Sequence, residues 1–169
     1  MKKDNLLIVG TGALATLFAA RLSNAGINVT MLGSWKEGLD ALNKNGARLV
    51  DANGDEKSYP VQALRECKNV RYAIVLVKSW QTERVALQLE KCLAEDGVVL
   101  TLQNGLGNGE ILADILGEER VAQGVTVVGA SLLEPGIVKI SGEAKVSVEA
   151  HPRLGAINAF LTEAGFALE

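Results

Sequence analysis

The first chemistry this sequence offers is a glycine-marked turn at the end of an apolar run. Ile8-Val9 leads into Gly10-Thr11-Gly12-Ala13-Leu14-Ala15, a spacing that turns the chain off a strand and opens a helix whose first N–H groups face an anion. Gly10 permits the tight turn, Gly12 removes a side chain where a pyrophosphate must approach the backbone, and small Ala15 lets helix and strand pack closely. The ligand implied is a dinucleotide. Two further residues stand where its reactive end would lie: Lys78, directly after the apolar run Tyr72-Ala73-Ile74-Val75-Leu76-Val77, and Asn104, after Leu100-Thr101-Leu102-Gln103. A lysine there supplies a cation for a phosphate, a ribose hydroxyl or a substrate oxygen, and an asparagine amide both donates and accepts. From position alone two readings stay open for each, because a lysine at a strand end is commonly just solvated and Asn104-Gly105 is a common turn dipeptide.

Cofactor choice is written at the end of the second strand, where an NAD site places Asp or Glu against the ribose 2′-hydroxyl. This chain reads Leu32-Gly33-Ser34-Trp35-Lys36 there. A hydroxyl and a cation with no carboxylate before Glu37 favour a 2′-phosphate, hence NADP(H), with Ser34 and Lys36 as its partners. The competing reading has Ser34 capping a helix and Lys36 pointing into water. No acid able to protonate a developing alkoxide is evident. The only histidine, His151, precedes Pro152 and suits a helix start better than catalysis, and Trp35 and Trp80 suit packing or lining. Cys67 and Cys92 lack the spacing of metal or redox motifs and are expected to be free, reduced thiols, so neither a metal site nor a catalytic residue is assigned within this chain.

The elements that must position these groups alternate. Strands are expected at Asn5–Gly10, Asn28–Leu32, Tyr72–Val77, Val98–Leu102 and Val121–Val128. Helices are expected at Ala13–Ala25, Glu37–Asn45, about Trp80–Leu93 with Ser79 as cap, and about Glu110–Leu116. That order predicts an α/β domain over residues 1–169, a doubly wound, mostly parallel sheet of the Rossmann type. Ala47–Asp51 and Lys57–Gln62 read as a hairpin elaborating an edge. Gly136–Ile140 and Lys145–Glu149 read as a short antiparallel extension around Ser141-Gly142-Glu143, before a helix from about Pro152 to Ala164.

With 169 residues, 48% hydrophobic content and a net charge of −3, the chain can build one real core and offers no basic field for nucleic acid. No apolar run approaches the ~20 residues that span a bilayer. Met1-Lys2-Lys3-Asp4 leads straight into the first strand with no room for a signal peptide, so a cytoplasmic protein is expected. Phe166-Ala167-Leu168-Glu169 ends where an apolar stretch is starting, which suggests a piece cut from a longer protein.

Taken together, Gly10-Thr11-Gly12-Ala13-Leu14-Ala15, Val75-Leu76-Val77-Lys78-Ser79-Trp80-Gln81-Thr82 and Gln103-Asn104-Gly105-Leu106-Gly107 resemble the N-terminal domain of the ketopantoate reductases, over essentially the whole chain. The resemblance implies an NADPH-dependent reduction of a 2-keto acid, 2-dehydropantoate, to pantoate in pantothenate and coenzyme A biosynthesis. It implies that Lys78 contacts the cofactor, that Asn104 lies near both nicotinamide and substrate, and that Ala130, within Val128-Gly129-Ala130-Ser131, is a further cofactor contact. Members often carry arginine after the second strand for the 2′-phosphate; Ser34 stands there in this chain, with Lys36 as a candidate substitute. The family's proton-donating lysine belongs to a C-terminal helical domain that this chain lacks, so the 169 residues alone are expected to bind NADPH weakly and not to turn over. Two rivals remain: a reductase of a related branched 2-oxoacid, and a non-catalytic NADP(H)-binding sensor.

Overall fold

In a computed structural model, residues 5–169 are described; the Met1-Lys2-Lys3-Asp4 segment lies outside the described residues. Strand β1 (Asn5–Val9) is apolar along nearly its whole length because helices cover both of its faces. Leu6 and Ile8 point to one core, while Leu7 and Val9 point to the other. Helix α1 (Ala13–Asn24), β2 (Asn28–Leu32), α2 (Lys36–Asn45), β3 (Ala47–Val50), β4 (Glu56–Tyr59), β5 (Gln62–Leu64) and β6 (Val70–Val75) follow. Then come α3 (Thr82–Glu90), β7 (Leu93–Thr101), α4 (Asn108–Leu116), β8 (Val121–Thr126), β9 (Gly129–Glu134), β10 (Ile137–Ser141), β11 (Lys145–Val148), α5 (Gly155–Glu163) and β12 (Ala167–Leu168).

The main sheet runs β12-β11-β8-β7-β6-β1-β2-β5. Its neighbours are parallel except for β11, which lies antiparallel to β8. The mostly parallel α/β sheet with an antiparallel part is the expected fold class. From β1 the chain winds outward through β2 to β5, then returns to β6 and winds the other way. Strand order therefore reverses between β1 and β6, and the crevice above their carboxyl ends is the place for a ligand. Buried α3 and α4 residues such as Val85, Leu89 and Leu112 seal one face. The other face is closed by α1, α5 and a small second sheet. Phe18 of α1, fully buried, stacks on Phe166 with ring centroids 4.4 Å apart, which ties the start of the chain to its end. Burying a side chain of that size contributes about 1.5–3 kcal/mol. No helix of the described residues is long and apolar enough to cross a membrane.

Four local expectations are corrected. First, β10 and β11 do not pair with each other. β10 lies antiparallel to β9 and parallel to β3, while β11 joins the main sheet. The hairpin turn is Pro135-Gly136, with Gly136 at φ +75°, and Gly142 at φ +78° is the corner where the chain changes sheets. Second, the β3–β4 pair is no edge elaboration of the main sheet but half of the second sheet, in the order β4-β3-β10-β9. Third, the helix expected at Trp80–Leu93 starts after a 3₁₀ turn at Ser79–Gln81 and stops at Glu90, and Leu93 already belongs to β7. Fourth, Ser79 caps nothing, because its hydroxyl donates instead to the Asn104 carbonyl at 3.1 Å.

Candidate dinucleotide site

At the crevice, Gly10 has φ +131°, a conformation that L side chains rarely adopt. A Cβ there would sit 3.3 Å from the Ala15 Cβ and 3.4 Å from the Leu76 carbonyl carbon. Gly10 is thus required both by the turn and by the close approach of β6. A Cβ on Gly12 would meet nothing within 4 Å and would project into open space over the turn. Behind it, α1 has no side-chain cap and no acidic residue in its first turn. Its leading N–H groups and positive dipole end therefore suit a phosphate. Thr11 is buried against Gly33, where a Cβ would lie 2.6 Å from the threonine methyl, so the turn rests directly on the end of β2. These features fit the pyrophosphate of a dinucleotide.

Beside the turn, a polar network joins the segments after β6 and β7. The Leu76 N–H donates to the Val9 carbonyl at 2.9 Å, carrying β6 past the glycine turn. Gln103, buried, donates through Nε2 to the Val77 carbonyl and to Thr82 Oγ1, both at 2.9 Å, and its Oε1 accepts from Thr101 Oγ1 at 2.9 Å. Thr82 Oγ1 donates onward to Asn108 Oδ1 at 2.8 Å. Asn108 Nδ2 in turn reaches Ser79 Oγ and the carbonyls of Asn104 and Gly105. The links join the two loops to the end of β7 and the first residues of α3 and α4, so the backbones that carry Lys78 and Asn104 are fixed to each other. Their own side chains are exposed, and among the described residues neither the Lys78 ammonium nor the Asn104 amide has a partner. Asn104 borders an open groove of about 490 Å³ shared with Gln123, Val125 and Val148.

Other sequence candidates fall elsewhere. Ser34 lies on a second cleft of about 240 Å³ together with Gly10, Thr11 and Trp35. Lys36, exposed, donates to Asp40 at 2.7 Å. That hydrogen bond and charge hold its ammonium above the ordinary lysine range. Ala13 and Leu14 pack partly buried on the core in the first turn of α1. Ala130 sits in β9 opposite Ile140, packed against the same core. His151 accepts through Nδ1 from the Arg153 N–H at 3.1 Å and so shapes the turn before α5, while Trp80 stands 82% exposed.

The expectation of free thiols is corrected: Cys67 and Cys92 form a disulfide, with Cα atoms 5.8 Å apart. They are the two ends of one strand–helix unit, since Cys67 precedes β6 and Cys92 follows α3, and the antiparallel return brings those ends together. The larger cleft beside them, about 580 Å³, opens at the amino ends of the strands, away from the glycine turn. Sequence reading quoted Gln103 and Thr82 within its motifs without giving them a role and did not single out Asn108; only Gln103, a polar side chain closing the apolar run of β7, carried a usable signal of a buried network.

Fold and site define a Rossmann-type dinucleotide-binding domain. A family model described as ketopantoate reductase PanE/ApbA matches residues 6–153. A curated 2-dehydropantoate 2-reductase of Archaeoglobus fulgidus is 36% identical over 143 residues, which are 85% of this chain and 46% of that protein. A PanE/ApbA family ketopantoate reductase structure from Ralstonia eutropha JMP134 aligns with a TM-score of 0.89 at 26% identity, covering 98% of this chain and 55% of that one. A ternary structure of D-mandelate dehydrogenase with NADH and anilino(oxo)acetate aligns with a TM-score of 0.86 at 25% identity, covering 98% and 56%. The chain belongs to the ketopantoate reductase family. It spans about half the length of the curated relatives it matches.

Proposed function

We propose that this chain is the cofactor-binding half of a cytoplasmic, NADPH-dependent 2-dehydropantoate 2-reductase, which converts ketopantoate to pantoate for pantothenate and coenzyme A synthesis. One observation carries the reading: the buried amide network holds Lys78 and Asn104, both with free side chains, at the strand-order reversal beside the glycine turn. Family membership supports it. NADPH, when bound, supplies a hydride for the 2-keto carbon. The N–H groups of α1 hold the pyrophosphate over Gly12, with Ala13 and Leu14 in the turn that faces it. Lys78 holds the cofactor, Asn104 orients nicotinamide and keto acid, and Ala130 borders the cofactor from β9. The proton for the developing alkoxide comes from a second, helical domain, which would also cover exposed Trp80, Leu106 and Val127.

A second reading takes its support from the D-mandelate dehydrogenase likeness: another 2-oxoacid as substrate, with NADH as reductant. Calorimetric titration of this chain with NADPH and NADH, followed by turnover of a chain extended through the helical domain, separates the two. The proposal expects tighter NADPH binding, negligible turnover by the 169 residues and a preference for ketopantoate over ketoisovalerate, ketoisocaproate and phenylglyoxylate in the extended chain. Preference for NADH together with phenylglyoxylate would replace it with the second reading.

A further inference from the structure

We propose that Arg65 and Arg84, converging on Ser34, read the 2′-phosphate of the nucleotide, so that two arginines from separate segments take the role that the sequence offers to Lys36. The inference rests on the nucleotide reading above and specifies its adenosine end.

Arg84 projects from the first turns of α3, and its Nη1 donates to Ser34 Oγ at 3.3 Å. Arg65 follows β5, the strand outside β2, and its Nη1 donates to the Ser34 carbonyl at 3.2 Å. Both line the cleft that reaches Gly10 and Thr11 of the phosphate turn, and no Asp or Glu lines it. A ribose 2′-hydroxyl would therefore find no carboxylate acceptor. Two guanidiniums brought to one serine repel each other, and among the described residues neither is in an ion pair. An anion seated between them turns that repulsion into attraction, and the planar guanidinium fork matches a phosphate in two-point hydrogen bonds.

The pair is also built in. Gln88 Nε2, one turn beyond Arg84 on α3, donates to the Arg65 carbonyl at 2.7 Å, so the helix that carries one arginine holds the backbone of the other. The disulfide adds a covalent tie two residues from Arg65. Lys36 is drawn along α2 to Asp40 and does not line the cleft. The charge of Arg65 still reaches Lys36, where it opposes the stabilising pull of Asp40 and Glu37 on the ammonium.

The test titrates the full 169-residue chain with adenosine 2′,5′-bisphosphate and with 5′-AMP, by calorimetry, for the unmodified protein and for Arg65→Gln, Arg84→Gln and Lys36→Gln. Circular dichroism checks folding, and Arg65→Lys and Arg84→Lys serve where a glutamine variant does not fold. The bisphosphate should bind at least about tenfold tighter than AMP, and each arginine variant should lose about tenfold in bisphosphate affinity, the equivalent of 1.4 kcal/mol. AMP affinity should hold within about twofold, since the arginines act on the 2′ group alone. The lysine variants should fall between, because they keep the charge and lose the fork. Equal binding of the two probes would overturn the proposal and leave the nucleotide site standing. Parallel loss of both probes in the arginine variants would overturn it in favour of a structural role, and a greater loss in Lys36→Gln would return the role to Lys36. A folded chain that binds neither probe would refute the nucleotide reading and this inference together.

Discussion

Thr82→Val is the sharpest probe of the buried network, because it keeps side-chain shape while deleting one hydroxyl at full burial. That hydroxyl accepts from Gln103 Nε2 at 2.9 Å and donates to Asn108 Oδ1 at 2.8 Å. Gln103 Nε2 keeps its bond to the Val77 carbonyl, whereas Asn108 Oδ1 loses its only donor among the described residues. Two neutral hydrogen bonds at about 1 kcal/mol each, plus part of the desolvation cost of the orphaned oxygen, come to about 2–3 kcal/mol. Against a total stability of about 5–15 kcal/mol this is a large fraction. With a urea slope of about 2 kcal/mol per molar, the unfolding midpoint should fall by about 1–1.5 M at unchanged slope. Combining Thr82→Val with Gln103→Leu should be less costly than the sum of the singles by about 1 kcal/mol or more, because both remove the same bond. A positioning role makes a further demand: NADPH affinity should fall in folded Thr82→Val while 5′-AMP affinity holds, since the proposed function sets the nicotinamide end beside this network. A midpoint shift below about 0.3 M, or strictly additive singles, would refute the reasoning.

The two glycines of the turn should separate stability from binding. Gly10→Ala forces a Cβ onto a φ of +131° against β6 and should cost about 1–3 kcal/mol in urea unfolding. Gly12→Ala adds its methyl in open space; it should leave the midpoint nearly unmoved and yet weaken NADPH binding by about tenfold or more in calorimetry. Cys67→Ser with Cys92→Ser opens a covalent loop with a sequence separation of 25 and should cost about 3–4 kcal/mol on the loop-entropy model. Thiol titration of the unmodified, denatured chain should find no reactive cysteine until reductant is added, and two afterwards.

Part of this molecule was open to local reading and part was not, and the division follows the range of the forces involved. The βα units were legible because a strand covered on both faces shows as an apolar run, while a helix packed on one face shows as a 3.6-residue period. Each signal is complete within about a dozen residues. The second sheet was not. Its central contact sets Arg48 beside Ile137, and nothing near either residue encodes it. The glycine corners at Gly136 and Gly142 offered two equivalent turns to β10. The choice fell to burial, since Ile137 and Val138 are covered when β10 joins β3 and β9, while Val146 is covered in the main sheet beside β8.

The site divides in the same way. Gly10, Lys78 and Asn104 stand at strand ends, where topology alone assigns them to the crevice, so their types could be weighed from the sequence. Arg65 and Arg84 lie in an irregular segment and on an exposed helix flank, positions where arginine is ordinarily just solvated. Their meaning comes only from meeting at Ser34, and that meeting depends on β5 returning to lie outside β2. Lys36 shows the converse: next to the right strand in sequence, it finds Asp40 one turn along its own helix. An i,i+4 ion pair with both partners exposed contributes only a few tenths of a kcal/mol. A bound phosphate could therefore break that pair at little cost, which is why Lys36→Gln is titrated beside the arginine variants.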